Sequence, residues 1–206
     1  MNQDSRRHAP ATLRNRDAIL QVLDAHLPAS GTVLEVASGS GEHAVYFAPR
    51  LRGRYWLPSD IGDNALASIA AWGTAEPADN LLAPISIDAS DPPWPIETGQ
   101  LPAPITAIVS INMIHIAPWS AAVGLFAGAA ELLPPGGVLY LYGPFSQGGE
   151  HISASNADFD ISLKQRNAEW GVRDVDQVST LANQNGFSET GAIPMPANNL
   201  SLVFVR

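Results

Sequence analysis

The stretch 33–44, VLEVASGSGEHA, decides the fold. An apolar run that ends in an acid passes into small residues and then into Glu42, so a short strand gives way to a glycine turn that opens a helix. Gly39-Ser40-Gly41-Glu42-His43-Ala44 has the G-x-G-x-x-A spacing of a dinucleotide fingerprint, and Asp60 lies about 20 residues on, as that fingerprint asks. Glycines there let backbone approach a ligand, and the helix amino end attracts negative charge. Glu35, at the carboxyl end of the strand, separates two ligand classes. A carboxylate repels a diphosphate and attracts a cationic amino group or sulfonium. Its plainer reading is a glutamate that braces the turn.

Outward from this turn the chain alternates. RNRDAILQVLDAHLP before it places Ile19, Val22, Leu23 and Leu27 at helical spacing and stops at Pro28. Residues 32–36 and 54–60 read as strands, with a helix over 42–48 between them and another over 63–72 after them. APISIDAS (83–90) reads as a third short strand ending in an acid. Pro92, Pro93, Pro95, Pro102 and Pro104 then impose a loop. ITAIVSINMIHI (105–116) is apolar enough for a strand buried on both faces. A helix from Pro118 to about Leu133 and a strand over 138–142 follow. The end differs: a helix with Asp174 and Gln177 at capping-box spacing and Gly186 as terminator, then two strands around PANN. Strands alternating with helices predict a parallel sheet covered on both sides, closed here by an antiparallel hairpin.

The chain has 206 residues, enough for one domain with a full core. Its formal net charge of -9 disfavours nucleic acid and anionic lipid as partners. With no cysteine, disulfides, thiolate nucleophiles and Cys-based zinc sites are excluded. No apolar run approaches the roughly 20 residues of a membrane span, and the first residues lack the apolar segment of a signal peptide. The expectation is a cytoplasmic protein without a membrane partner; oligomeric state stays open.

LEVASGSGEHA resembles the first motif of class I S-adenosylmethionine (SAM)-dependent methyltransferases, in which an acid precedes three alternating glycines; here the first of those is Ala37. RNRDAIL, NMIHIAPW, LYGPF, SNADFD, WGVRD and MPANNL together resemble, more narrowly, a family of methyltransferase-like proteins known only as a domain of unknown function. The resemblance implies a single Rossmann-like domain over 1–206: a seven-stranded, mostly parallel sheet, helices on both faces, and a reversed C-terminal strand. It also implies a SAM site, with S-adenosylhomocysteine as product. Glu35, Ala37, Gly39 and Gly41 would surround the methionine part, Asp60 with Ile61 the ribose, Asp88 with Ala89 the adenine, and Asn112 would stand at the end of the fourth strand. Arg14 is a candidate partner for the donor carboxylate.

Acceptor chemistry is less marked, since displacement at a sulfonium needs mainly alignment and dryness. His115 could take a proton near pH 7, and Tyr142 stands at the end of the fifth strand. Residues 143–174 form too long a connector for a compact domain, so a lid is expected there, with a helix over 156–170, Gly148-Gly149 as hinge, and His151, Asn156, Asp158 and Arg173 facing a small-molecule acceptor. Ser110, Asn112 and Tyr142 at the strand ends do not make a divalent-metal site, and no metal is expected. Two other readings stay open: an NAD(P)-dependent oxidoreductase and a non-catalytic SAM-binding sensor or scaffold.

Overall fold

A computed structural model describes residues 4–206. Its central strand, β1 (Gly31–Val36), is buried at all six positions because it has parallel neighbours on both sides, β2 (Arg54–Asp60) and β4 (Ile105–Ile111). Leu34 sits opposite Leu57 on one side and Ile108 on the other. Adding β3 (Ile85–Ser86), β5 (Val138–Gly143), β9 (Ser188–Met195) and β10 (Asn199–Val205) gives a seven-stranded sheet in the order β3-β2-β1-β4-β5-β10-β9. β10 runs antiparallel to both of its neighbours. The chain builds outward from β1 to β3 and then crosses to β4, so the strand order reverses between β1 and β4. That switch point leaves a crevice at the carboxyl ends of the strands.

Alternation along the strands sorts the helices. Leu34, Ile108, Leu139, Leu141 and Phe204 point to the face covered by α4 (Trp119–Leu132) and α6 (Val175–Gln184). Val33, Trp56, Val109, Tyr140 and Val203 point to the face covered by α1 (Pro10–His26) and α2 (Glu42–Phe47). The helix α3 (Asp63–Ala75) buries Ala65, Ser68, Ile69 and Trp72, one side of a helix at 3–4-residue spacing. The architecture is therefore three-layered, as expected.

Several boundaries differ from the sequence reading. α1 starts at Pro10 rather than near Arg14, since proline at its first turn needs no N–H partner. The third strand shrinks from 83–90 to two residues: Pro84 cannot donate to the ladder, and pairing with β2 is left as a bridge at Trp56–Leu81 and a short ladder at Ile85–Ser86. β4 stops at Ile111 because Asn112 adopts φ 59°, which turns the chain. The loop after Asp88 is an Asx turn in which Asp88 Oδ1 accepts from Ser90 N and Oγ. In the PANN hairpin the left-handed residues are Ala197 and Asn198, with φ 57° at each.

The segment 143–174 has its own structure. β6 (Phe145–Gln147), β7 (Glu150–His151) and β8 (Arg173–Asp174) form a small sheet, with α5 (Ala154–Arg166) between β7 and β8. Ser153 starts α5 by accepting from Asn156 N. Gly148 and Gly149, with φ 60° and 81°, close the β6–β7 hairpin, the geometry a two-residue turn demands. At the base of the excursion, Phe145 pairs with Arg173 and Ser146 with Asp174. No helix among the described residues is long and apolar enough to cross a membrane.

Candidate active site

Glu35 anchors the crevice. It is 1% exposed, and its Oε2 accepts from Ser38 Oγ at 2.9 Å and from Trp56 Nε1 at 3.0 Å. No described residue donates to Oε1. Ser59 Oγ donates to the Glu35 carbonyl and Ser59 N to Ser38 Oγ, so β2 fixes the turn against β1. Burial pushes the Glu35 carboxyl up to about 7, against the two hydrogen bonds that favour its charged form. The bracing reading of Glu35 is therefore half right: one oxygen braces, and the other is left over.

The turn beyond it is held open by backbone geometry. Ala37 and Gly39 have φ of 62° and 61°. A Cβ added to Gly39 would meet nothing within 4 Å, whereas one on Gly41 would lie 2.7 Å from the Ile69 Cα. Gly39 thus leaves space for a ligand, and Gly41 leaves space for α3. Asp60 reaches across, accepting from Gly39 N through Oδ2 and from Gly62 N through Oδ1.

Glu35, Ala37, Gly39, Asp60, Ile61 and Asn112 line one cleft of about 420 Å³. Met113 and Ile116 supply apolar wall, and the start of α1 closes it with Ala9, Ala11 and Thr12. Its lining holds two carboxylates and no lysine or arginine. Asp88 and Ala89 are not part of that lining; Asp88 is engaged in its turn, and Ala89 packs its carbonyl against Gly124 of α4.

A second cavity, of about 730 Å³, opens beside the first. The two share Ala11, Asn112 and Ile116. Arg14, His115, Tyr142 and Asn156 meet here, with Phe159 from α5 and Pro196, Ala197 and Asn199 from the β9–β10 hairpin. Arg14 therefore belongs to the outer cavity and not to the cleft at Glu35. His115 is 3% exposed, its Nδ1 has no partner, and its ring meets Phe159 edge-on at 5.9 Å. Burial, with Arg173 and Arg166 adding to it, pushes His115 down to about 4. At neutral pH it is an uncharged imidazole and a weak base, not a group poised near 7. Burial likewise raises the Tyr142 phenol.

The remaining expected residues have other places. Arg173 donates to the carbonyls of Ile114 and Ala117, tying the excursion to the loop after β4, and to the carbonyl of Glu169 within the excursion. His151 Nε2 lies 3.5 Å from Asp160, which is also bound by Lys164. Asp158 is exposed. None of these three lines either cavity. Asn156 does, while its Nδ2 donates to the Asn198 carbonyl and fastens α5 to the hairpin.

Sequence reasoning missed two groups. Asn15 and His43 are 2.9 Å apart at Oδ1 and Nε2, both buried, and each lines one of the cavities. The only signal for the pair was Asn15 on the apolar stripe of α1, a polar residue where Ile19 and Leu23 lead one to expect a hydrophobe. Glu42 is the other: its Oε2 accepts from Ala9 N at 2.6 Å and from Ser40 Oγ. With Ser68 Oγ accepting from Arg7 N and Trp72 Nε1 donating to Arg7 O, it straps residues 7–9 over the cleft. Among the described residues no three His, Asp or Glu side chains group to hold a metal ion.

A family model described as "Protein of unknown function (DUF938)" matches residues 6–206. Among solved structures, the chain is similar to an O-methyltransferase family protein from Burkholderia thailandensis (TM-score 0.74, 15% identity, 95% of this chain and 57% of that one). It is similar also to an O-methyltransferase family 2 protein from Planctomyces limnophilus in complex with apigenin (TM-score 0.78, 17% identity, 95% and 57%). A third is CalO1, a methyltransferase in calicheamicin biosynthesis in its S-adenosylhomocysteine-bound form (TM-score 0.69, 15% identity, 91% and 53%). The chain spans little more than half the length of these neighbours, and at such identities the shared property is the fold.

Proposed function

The chain belongs to the DUF938 family, and from that premise we propose that it is a SAM-dependent methyltransferase acting on a small-molecule acceptor. The observation that carries this reading is the charge of the cleft: a buried carboxylate at Glu35 with one oxygen undonated, Asp60 opposite, and no lysine or arginine in the lining, where His43 is held neutral by burial. A dinucleotide diphosphate would face two carboxylates there without a cation to offset them. An α-ammonium and sulfonium would be attracted. The fit extends to shape, since Gly39 leaves open space and Ile61, Met113 and Ile116 give an apolar wall for a nucleoside.

When bound, the donor supplies an electrophilic methyl group: the acceptor's lone pair forms the new bond to carbon, the carbon–sulfur pair returns to sulfur, and any acceptor proton leaves to water. The protein's part is alignment and dryness. Glu35 would hold the ammonium, Asp60 the ribose hydroxyls, and Asn112, turned by its left-handed φ of 59° between the two cavities, would face both ligands. His115 and Tyr142 line the acceptor side as neutral hydrogen-bonding groups. The continuity of the cavities favours catalysis over a sensing role, because a sensor needs no second chamber. The strap at residues 7–9 and α5 over the outer chamber are two covers that exclude water.

Thermal shift with SAM, S-adenosylhomocysteine, NAD and NADP tests the proposal. The first two should raise the melting temperature as RT ln(1 + [L]/Kd), and Glu35→Gln should lose most of that gain. A rise with NAD or NADP alone would sink it.

A further inference from the structure

The outer cavity has an unusual electrostatic make-up for this chain. Acids outnumber bases, 20 to 11, yet none of the residues lining this chamber is an Asp or Glu. Its one formal charge is Arg14, and no described residue accepts a hydrogen bond from that guanidinium. The other polar groups, four asparagines with Ser155, His115 and Tyr142, are uncharged. Ile116, Pro144, Phe159 and Pro196 give flat apolar walls. His115 Nδ1 is buried without a partner.

Position matters as much as sign. Ala11 belongs to both cavities and Arg14 to the outer one alone. They stand three positions apart on α1, about 4.5 Å along the axis. A ligand whose reacting atom lies at the shared floor, beside Asn112 and Ile116, therefore reaches Arg14 at a point remote from that atom.

We propose that the outer cavity takes an acceptor with an anionic group and a flat apolar body, the anion bound by Arg14 and the nucleophilic atom lodged at the Asn112–Ile116 floor. This rests on the methyl-transfer reading of the adjoining cleft. A cationic acceptor would meet Arg14 with no carboxylate in the lining to balance it. An anion gains a charge-assisted, bidentate partner. The acceptor's own nucleophile must be competent without a strong base, because the lining offers neutral imidazole, phenol and amides.

The test is calorimetric and starts with S-adenosylhomocysteine alone. Its failure to bind overturns the donor reading and this proposal with it. With that ligand saturating, three probes of equal size follow: 4-hydroxybenzoate, 4-hydroxybenzamide and 4-hydroxybenzylamine. The acid should bind at least about tenfold tighter than the amide, and the amine weakest. Arg14→Gln should erase the preference for the acid, and Arg14→Glu should reverse the order, both with S-adenosylhomocysteine still bound. Equal binding of the three probes, tighter binding of the amine, or no binding of the acid overturns the acceptor proposal while leaving the donor reading intact.

Discussion

Glu35 is held at 1% exposure with its carboxyl raised to about 7, and that has two opposed consequences. An acid whose folded pKa lies above its unfolded value of 4.5 gives stability that is fully present below about 4.5 and is lost as pH rises through about 7. Glu35→Gln keeps an oxygen for Trp56 and Ser38 and removes the charge. It should therefore stabilise the free protein at pH 8, by something on the order of 2–3 kcal/mol, with little effect at pH 5. Under the proposed methyl-transfer function, donor binding goes the other way. A ligand ammonium needs the carboxylate, so wild-type affinity for S-adenosylhomocysteine should fall as pH drops below about 7, and the variant's affinity should be low and flat. Urea midpoints and calorimetry across that range read both effects; a wild-type affinity independent of pH would contradict them. His43 and His115, each pushed by burial down to about 4, carry the acid side. Their stability is present above about 6.5 and lost as pH falls through 4.

Among the elements, the excursion 143–174 is secured by few bonds, which makes it separable in experiment. Arg173 supplies two of them, to the carbonyls of Ile114 and Ala117, and a third hydrogen bond to Glu169 within the excursion. Arg173→Ala should leave those carbonyls unpaired and speed amide exchange in α5 by about 10- to 100-fold, equivalent to roughly 1–3 kcal/mol of local opening, with β1, β4 and β5 still protected. Exchange unchanged in α5 would show that the clamp lies elsewhere. Elements of this kind were only partly legible beforehand. The helix in the excursion could be read from Phe159 and Leu163, and its start was missed by two residues because Ser153, the cap, sits among several serines and asparagines able to fill that role. Asp88 shows the opposite failure: an acid at the end of a short strand looks the same whether it faces a ligand or folds onto Ser90. The strap at residues 7–9 had no local signal, because its partners Glu42, Ser68 and Trp72 are distant in sequence and meet it only through the packing of α2 and α3.

At the level of the whole molecule the sheet joins two cores, and this joint burial was the most readable property of the chain. Strand interiors with β-branched and apolar alternation gave the layers, and the final hairpin gave the reversed strand; neither depends on a precise terminus. Phe126 of α4 packs edge-on to Phe187 at 6.0 Å and to Phe204 of β10 at 5.3 Å, linking the helical layer to the last strand. Phe126→Ala should cost about 3–5 kcal/mol while keeping a single cooperative urea transition; separate transitions for the two faces would refute the shared-sheet view. The parallel stitch of Phe145 to Arg173 and Ser146 to Asp174 has a further meaning. Because the two strands run parallel, the chain leaves at one end of the stitch and has to cross over through α5 to return at the other, which makes the excursion a cassette that can be exchanged only as a whole crossover. Swapping residues 147–172 for the corresponding crossover of another such protein should yield a chain that still folds and keeps whatever affinity for S-adenosylhomocysteine the proposed donor cleft has. Diversification of chemistry would then proceed by trading cassettes over an unaltered chassis.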